Sequence, residues 1–240
     1  MDNTALSISG LTIIRNNKVL YKDFSLVVKK NAVTCLIAPS GSGKTTLLDY
    51  IANTLDDSAS YAHGNMTFGE NGGHPLFSFL FQEPRLIPSA TVLQNVLLPL
   101  VNVMDFSQAK RRAYEFIERV ELAEKINSFP DELSGGEKQR TAIARSFAFP
   151  SNFFLFDEPF QSQDLKIKLH LIAIVRQLLA AEKRTVLFVT HDAKEAVILS
   201  DRIIVMEGNP LCIIFDESDF NKGDVQLENK ITSLVVHSAV

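Results

Sequence analysis

Between Val33 and Ala52 the chain runs from five strand-like residues, Val33-Thr34-Cys35-Leu36-Ile37, through Ala38-Pro39-Ser40-Gly41-Ser42-Gly43-Lys44-Thr45-Thr46 into the helix-like Leu47-Leu48-Asp49-Tyr50-Ile51-Ala52. A strand, a Gly-rich turn and a helix opening on Lys-Thr are the parts of a phosphate-binding loop, in the order that chemistry requires. Gly41 and Gly43 let backbone N–H groups line a concave nest. The Lys44 ammonium then reaches the β- and γ-phosphates, and the Thr45 hydroxyl can ligate Mg²⁺. Ser40, Ser42 and Thr46 complete the loop. The pattern G-x-x-x-x-G-K-[ST] is met except at its first position, where Ala38 stands and its methyl either strains the turn or is tolerated. A mere Gly/Ser-rich turn is the alternative, and the flanking strand and helix argue against it.

Three more apolar runs end on polar groups. Phe153 to Phe156 ends at Asp157-Glu158-Pro159, as a buried parallel strand delivering two carboxylates to its C-terminal edge, where they suit a metal and a water. Arg184 to Thr190 ends at His191-Asp192 and brings a titratable ring to the same kind of edge. Leu76 to Phe81 ends at Gln82-Glu83-Pro84, so Gln82 sits on a hinge able to carry its amide to a metal site. A fourth signal is Leu133-Ser134-Gly135-Gly136, which opens a helix reaching Phe149. It offers a hydroxyl and unencumbered N–H groups at a positive helix end, where an anion can sit.

The remaining segments are read as scaffold. Leu6 to Ile14, Val19-Leu20 and Phe24 to Val28 read as short strands, with a hairpin turn at Asn16-Asn17. Residues 53–74 read as connective, with a short strand from Asn65 to Phe68, and His63 and His74 as surface residues. The middle of the chain is helical: Ala109, Ala113, Phe116, Ile117 and Val120 share one face, while Lys110, Arg111, Arg112 and Arg119 form a solvated one. Lys166 to Glu182 and Ala193 to Leu199 read as helices, Arg202 to Met206 and Leu211 to Phe215 as strands, and residues 217–240 as a polar tail without a site.

With 240 residues the chain has room for a substantial core. A net charge of −4 argues against a general nucleic-acid binder. Cys35 and Cys212 lie in apolar runs without a Cys or His at metal spacing, and are expected to be buried thiols of a reduced cytosolic protein. No apolar run reaches the roughly 20 residues that span a bilayer, and Met1-Asp2-Asn3-Thr4 lacks the start of a signal peptide. A membrane link is therefore expected through a partner.

Taken together, residues 6 to about 215 resemble the nucleotide-binding subunit of an ABC transporter, with Leu133-Ser134-Gly135-Gly136 and Gln139-Arg140 as the signature between the phosphate loop and the Asp-Glu-Pro strand. The resemblance implies an α/β fold: a P-loop NTPase (RecA-like) core, residues 1–83 and 146–215, carrying an antiparallel β subdomain. A helical subdomain, 84–145, is inserted, and 216–240 form a tail. It further implies ATP and Mg²⁺, with Thr45, Gln82 and Asp157 at the metal, Glu158 as general base and His191 as the switch histidine. Asp164 takes the D-loop aspartate's position, although Gln161-Ser162-Gln163-Asp164 keeps only the Asp of the usual Ser-Ala-Leu-Asp. Two copies would pack head to tail, so that Ser134, Gly135 and Gly136 of one meet the ATP held by Lys44 of the other.

The family's adenine-stacking aromatic is replaced by Ile14-Arg15-Asn16, leaving the Arg15 guanidinium, or less favourably Tyr21, as the platform. Phe81-Gln82-Glu83-Pro84-Arg85-Leu86-Ile87-Pro88 with Asn95-Val96 resembles nitrate, sulfonate and taurine importer ATPases. That implies a subunit on the cytoplasmic face of the cell membrane. It would drive a separate permease through a groove near residues 83–104 and meet a solute-binding protein only indirectly, with no nucleic-acid partner. The competing class is a non-transport ABC ATPase, such as one for iron–sulfur assembly. A degenerate regulator that binds ATP without hydrolysing it ranks below both, since Lys44, Glu158 and His191 are present.

Overall fold

A computed structural model describes residues 3–56, 60–69, 73–161 and 163–237. Met1 and Asp2, parts of the 53–74 segment, Ser162 and the last three residues of the tail lie outside the described residues. The elements in chain order are β1 (Thr4–Arg15), β2 (Lys18–Lys29), β3 (Val33–Ile37), α1 (Lys44–Ile51), β4 (Ser60–Phe68), β5 (Phe77–Leu80), α2 (Val92–Leu97), α3 (Phe106–Arg119), α4 (Gly135–Ala148), β6 (Phe153–Asp157), α5 (Leu165–Ala181), β7 (Thr185–Thr190), α6 (Ala193–Leu199), β8 (Arg202–Glu207), β9 (Cys212–Glu217) and α7 (Val225–His237). They fall into two compact units. The first comprises Met1–Phe77, Phe153–Asp157 and Arg184–Val240; the second comprises Ser78–Asn152 and Glu158–Lys183.

In the first unit β1 and β2 form a hairpin with Arg15 opposite Lys18. Asn16 and Asn17 turn it at φ 50° and 60°, the left-handed region that Asn tolerates and that a tight hairpin needs. The segments expected as two strands, Val19-Leu20 and Phe24–Val28, are one: β2 continues through a bulge in which Asp23 takes φ 51° between the Leu11–Phe24 and Ile13–Tyr21 pairs. The 53–74 segment is also more ordered than a connection, since nine of its residues form β4 along the other edge of β1.

Strands β6, β7, β3 and β8 are parallel neighbours in that order, with β9 antiparallel on β8. All residues of β3 and β7 are buried, as expected for strands covered on both faces. Phe154, Phe156 and Phe188 fill this core with edge-to-face contacts at 6.0 and 6.2 Å between ring centres. Ile37 pairs with Thr190, and Asp157 with Val189. This register brings the C-terminal ends of β3, β6 and β7 to one edge, where the Ala38–Gly43 loop leaves β3.

Two further expectations for this unit are corrected. Cys35 is buried, and burial pushes its thiol well above the usual range, but Cys212 is exposed because β9 is only partly covered. The polar tail contains α7, which buries Leu227 and Ile231 and packs on α6 and β8; with so few buried positions its apolar periodicity is faint.

The second unit is mainly helical. Ala109, Ala113, Phe116 and Ile117 of α3, with Val120 just beyond it, are buried as their spacing requires. Lys110 and Arg111 are exposed, but Arg112 is not part of a solvated face: its guanidinium lies 4.9 Å from the Phe116 ring centre and donates to the Ala148 carbonyl. Asn95 is buried on α2 and stitches the preceding loop in place. Its Oδ1 accepts from Ile87 N at 2.7 Å, and its Nδ2 donates to the carbonyls of Ala90 at 2.8 Å and Thr91 at 3.0 Å.

Candidate functional site

The first unit carries the phosphate loop. Gly41 and Gly43 take φ 71° and 111°, and a Cβ on Gly43 would come within 3.2 Å of Leu20, so both positions favour glycine. Ala38 is buried without a positive φ, so its methyl brings no backbone strain of the kind the missing glycine would have relieved. Helix α1 starts at Lys44 with no side-chain cap and no acidic residue in its first turn. Its positive end therefore faces the loop without an internal carboxylate. Lys44 is 4% exposed, and its Nζ donates to the carbonyls of Ala38 at 2.8 Å and Pro39 at 2.9 Å. Among the described residues the Ser42 hydroxyl is buried without a hydrogen-bond partner. A buried ammonium, an orphan hydroxyl and a nest of glycine backbone are the donor set of a polyphosphate site.

Thr45 and Asp157 meet at the same edge. The Thr45 hydroxyl donates to the Asp157 carboxylate, 2.9 Å from Oδ2 and 3.1 Å from Oδ1. These hard oxygen donors fit Mg²⁺, which prefers carboxylate and hydroxyl oxygen beside substrate phosphates. His191 follows β7, half-buried, just before Asp192, whose carboxylate caps α6 by accepting from Lys194 N at 2.9 Å and Glu195 N at 3.2 Å. Arg15 Nη1 donates to Thr46 Oγ1 at 3.1 Å, which holds the guanidinium beside the start of α1. Tyr21 cannot serve as a base platform: it is fully buried, burial raises its pKa, and its hydroxyl donates to the Gly43 carbonyl at 3.2 Å.

The second unit carries Gln82, Ser134, Gly135, Gly136, Glu158 and Asp164, so the division of the chain falls between Asp157 and Glu158. Glu158 takes φ 44°, a strained conformation for a non-glycine residue and one that concentrates at functional positions. Gln82 is exposed in a bend after β5. Ser134 caps α4 in a reciprocal box: its Oγ accepts from Glu137 N at 3.3 Å, while its own N–H and hydroxyl donate to Glu137 Oε2 at 2.8 Å each. These bonds hold the Glu137 carboxyl below its ordinary value. A Cβ on Gly136 would stand 2.9 Å from Ile167 of α5, so a glycine lets the two helices approach. Asp164 caps α5, accepting from Lys166 N at 3.0 Å and Ile167 N at 3.1 Å.

The Glu137 cap and Arg145 lie outside the sequence expectations, and Gln139 enters them only as part of the signature. Ser134-x-x-Glu137 is a legible capping box. Gln139 is a fully buried amide on α4, and Arg145 of the same helix donates to the carbonyls of Pro84 at 2.6 Å and Arg85 at 2.8 Å. The hint of Arg145 was a polar residue on a largely apolar helix face.

Comparison with known proteins gives the family. Residues 21–161 match the model of the ABC transporter family, and the chain belongs to that family. Within it the chain is an importer-type ATP-binding subunit, an ATPase rather than a member of the non-transport class. An aliphatic sulfonates import ATP-binding protein of Mesorhizobium japonicum is 34% identical over 87% of this chain and 78% of the relative. Its counterpart in Burkholderia ambifaria is also 34% identical, over 85% of this chain but 61% of that longer protein. In fold the chain is similar to a solved chain of a metal-chelate type ABC transporter in an inward-facing conformation, with a TM-score of 0.77 at 20% identity over 98% of this chain and 90% of the other. The architecture is the expected α/β P-loop NTPase (RecA-like) core with an antiparallel β subdomain and helical insertion. Among the described residues no helix is long and apolar enough to cross a membrane.

Proposed function

We propose that two copies of this chain close head to tail on ATP and reopen on its hydrolysis, driving a separate membrane permease that imports a small organic anion of the sulfonate kind. The reading is carried by the Thr45–Asp157 contact at the mouth of the phosphate loop, which puts metal-type oxygens beside a phosphate-type nest. Ser40, Gly41, Ser42, Gly43, Lys44, Thr45 and Thr46 hold the triphosphate, and Arg15 lies toward the nucleoside. Thr45, Asp157 and Gln82 would hold Mg²⁺, which when bound neutralises phosphate charge. Glu158 accepts the proton of the attacking water at its carboxylate, and His191 orients the terminal phosphate. Ser134, Gly135 and Gly136 complete the second copy's site, with Asp164 at the dimer contact.

In this reading the chain is one ATPase domain: a core of 1–83 and 146–215, the helical insertion 84–145, and the tail 216–240. The permease's docking segment meets residues 83–104. Support comes from Ile87, Leu98, Val101 and Val103, large apolar side chains that are exposed along this stretch while buried Asn95 fixes the loop beneath Ile87. The subunit would then sit on the cytoplasmic face of the membrane and meet a solute-binding protein only through the permease. The test is Glu158→Gln. Turnover should fall at least about 10²-fold, as when a general base is lost, with ATP binding kept and an ATP-dependent dimer accumulating in light scattering. Unchanged turnover removes Glu158 from this role, and a chain that stays monomeric removes the head-to-tail closure.

A further inference from the structure

Gln139 is fully buried in α4, and its side-chain amide joins two loops of the second unit. Nε2 donates to the Phe81 carbonyl at 3.2 Å and to the Pro159 carbonyl at 2.6 Å. Phe81 immediately precedes Gln82, and Pro159 immediately follows Glu158. A primary amide has two N–H donors, and here each ends on one of the loops that carry these residues. From the far side of Gln82, Arg145 of the same helix fastens the carbonyls of Pro84 and Arg85.

Packing alone explains this amide poorly. Among the described residues its Oε1 is buried without a hydrogen-bond partner, a cost that space-filling does not require, while its Nε2 serves two loop carbonyls. Beside it Glu158 keeps its strained φ of 44°, a conformation that persists only where the surroundings hold it. The Pro159 carbonyl, one residue on, is the anchored neighbour.

We infer that Gln139 is a positioning residue for hydrolysis: it fixes the backbone beside Gln82 and the backbone beside Glu158 to the helix whose N-terminus is Ser134–Gly136. The inference rests on the reading of Glu158 as the base and adds the part that holds it. A shift of the Ser134 end of α4 is passed through one side chain to both loops, so the contact with a second copy's nucleotide and the aim of the base are set together.

The test uses the full chain with Gln139→Leu, Gln139→Met and the double variant Gln139→Leu/Glu158→Gln. Loss of the amide should lower kcat roughly tenfold, the scale of coupling between residues in one network. The KM and Kd for ATP should stay within about twofold, while the thermal midpoint falls because the Phe81 and Pro159 carbonyls lose their donor. In the double variant the rate should equal that of Glu158→Gln alone, since a residue that acts through Glu158 has nothing left to position. An unchanged kcat in both single variants, rate losses that multiply in the double variant, or a midpoint and ATP affinity that fall together would each overturn the inference. If Glu158→Gln itself keeps full turnover, the reading of the base fails and this inference with it. A slow Glu158→Gln beside a fast Gln139→Leu removes Gln139 alone.

Discussion

Helices α1 and α4 both open on glycine-rich sequence with hydroxyls at hand, yet their N-termini are built for opposite uses. Gly43 caps α1 with no side-chain bond, and the first turn holds no carboxylate; the ammonium of Lys44 adds to the positive end. Ser134 caps α4 in a closed box with Glu137, so an internal carboxylate already occupies the hydroxyl and N–H of Ser134. The first end is left for an outside anion, and the second is satisfied within its own chain. A phosphate that reaches Ser134 must therefore compete with Glu137, whereas one that reaches Lys44 meets an ammonium bonded to loop carbonyls. The difference lies in the cap and in the third residue of each helix: Gly43 and Thr46 for α1, Ser134 and Glu137 for α4.

That contrast can be broken at either helix. Lys44→Ala should weaken ATP binding about 10- to 100-fold, the scale of lost charge-assisted hydrogen bonds, with the fold retained; undiminished affinity in calorimetry would detach α1 from phosphate. Ser134→Ala should act on stability instead. Loss of its cap costs about 1 kcal/mol, read as a lower thermal midpoint without ATP, and an unchanged midpoint would mean that the box contributes nothing.

The smallest effect is a pH dependence. Because hydrogen bonds from Ser134 hold the folded Glu137 carboxyl below its ordinary 4.5, the stability it adds is present above that value. It is lost as pH falls through the lowered folded value. Glu137 is only half-buried, so solvent and salt reduce the term. Glu137→Gln should flatten the acid limb of a stability profile, and identical limbs would remove the charge from the account of α4.

The elements that present the site were plain in sequence wherever burial on both faces wrote a continuous apolar run, as in β3, β6 and β7. β4 was nearly invisible because it is covered on one side only and interrupted by Gly64; pairing with β1 makes it a strand. Cys212 looked like core from its neighbours, yet an edge strand leaves it exposed. Arg112 looked like surface until Phe116 and the Ala148 carbonyl gave its guanidinium a place.

Sequence by itself determined the local chemistry: a glycine nest before Lys44 and Thr45, carboxylates at the end of a buried strand, and a capped helix starting at Ser134. These depend on backbone freedom and residue spacing over a few positions. Only the tertiary structure decided that Asp157 reaches Thr45 across 112 residues, that Arg15 turns to Thr46, and that one buried amide, Gln139, joins the loops of Gln82 and Glu158. Such partners are chosen by sheet register and helix packing, and no local pattern encodes which distant carbonyl or carboxylate a side chain will meet.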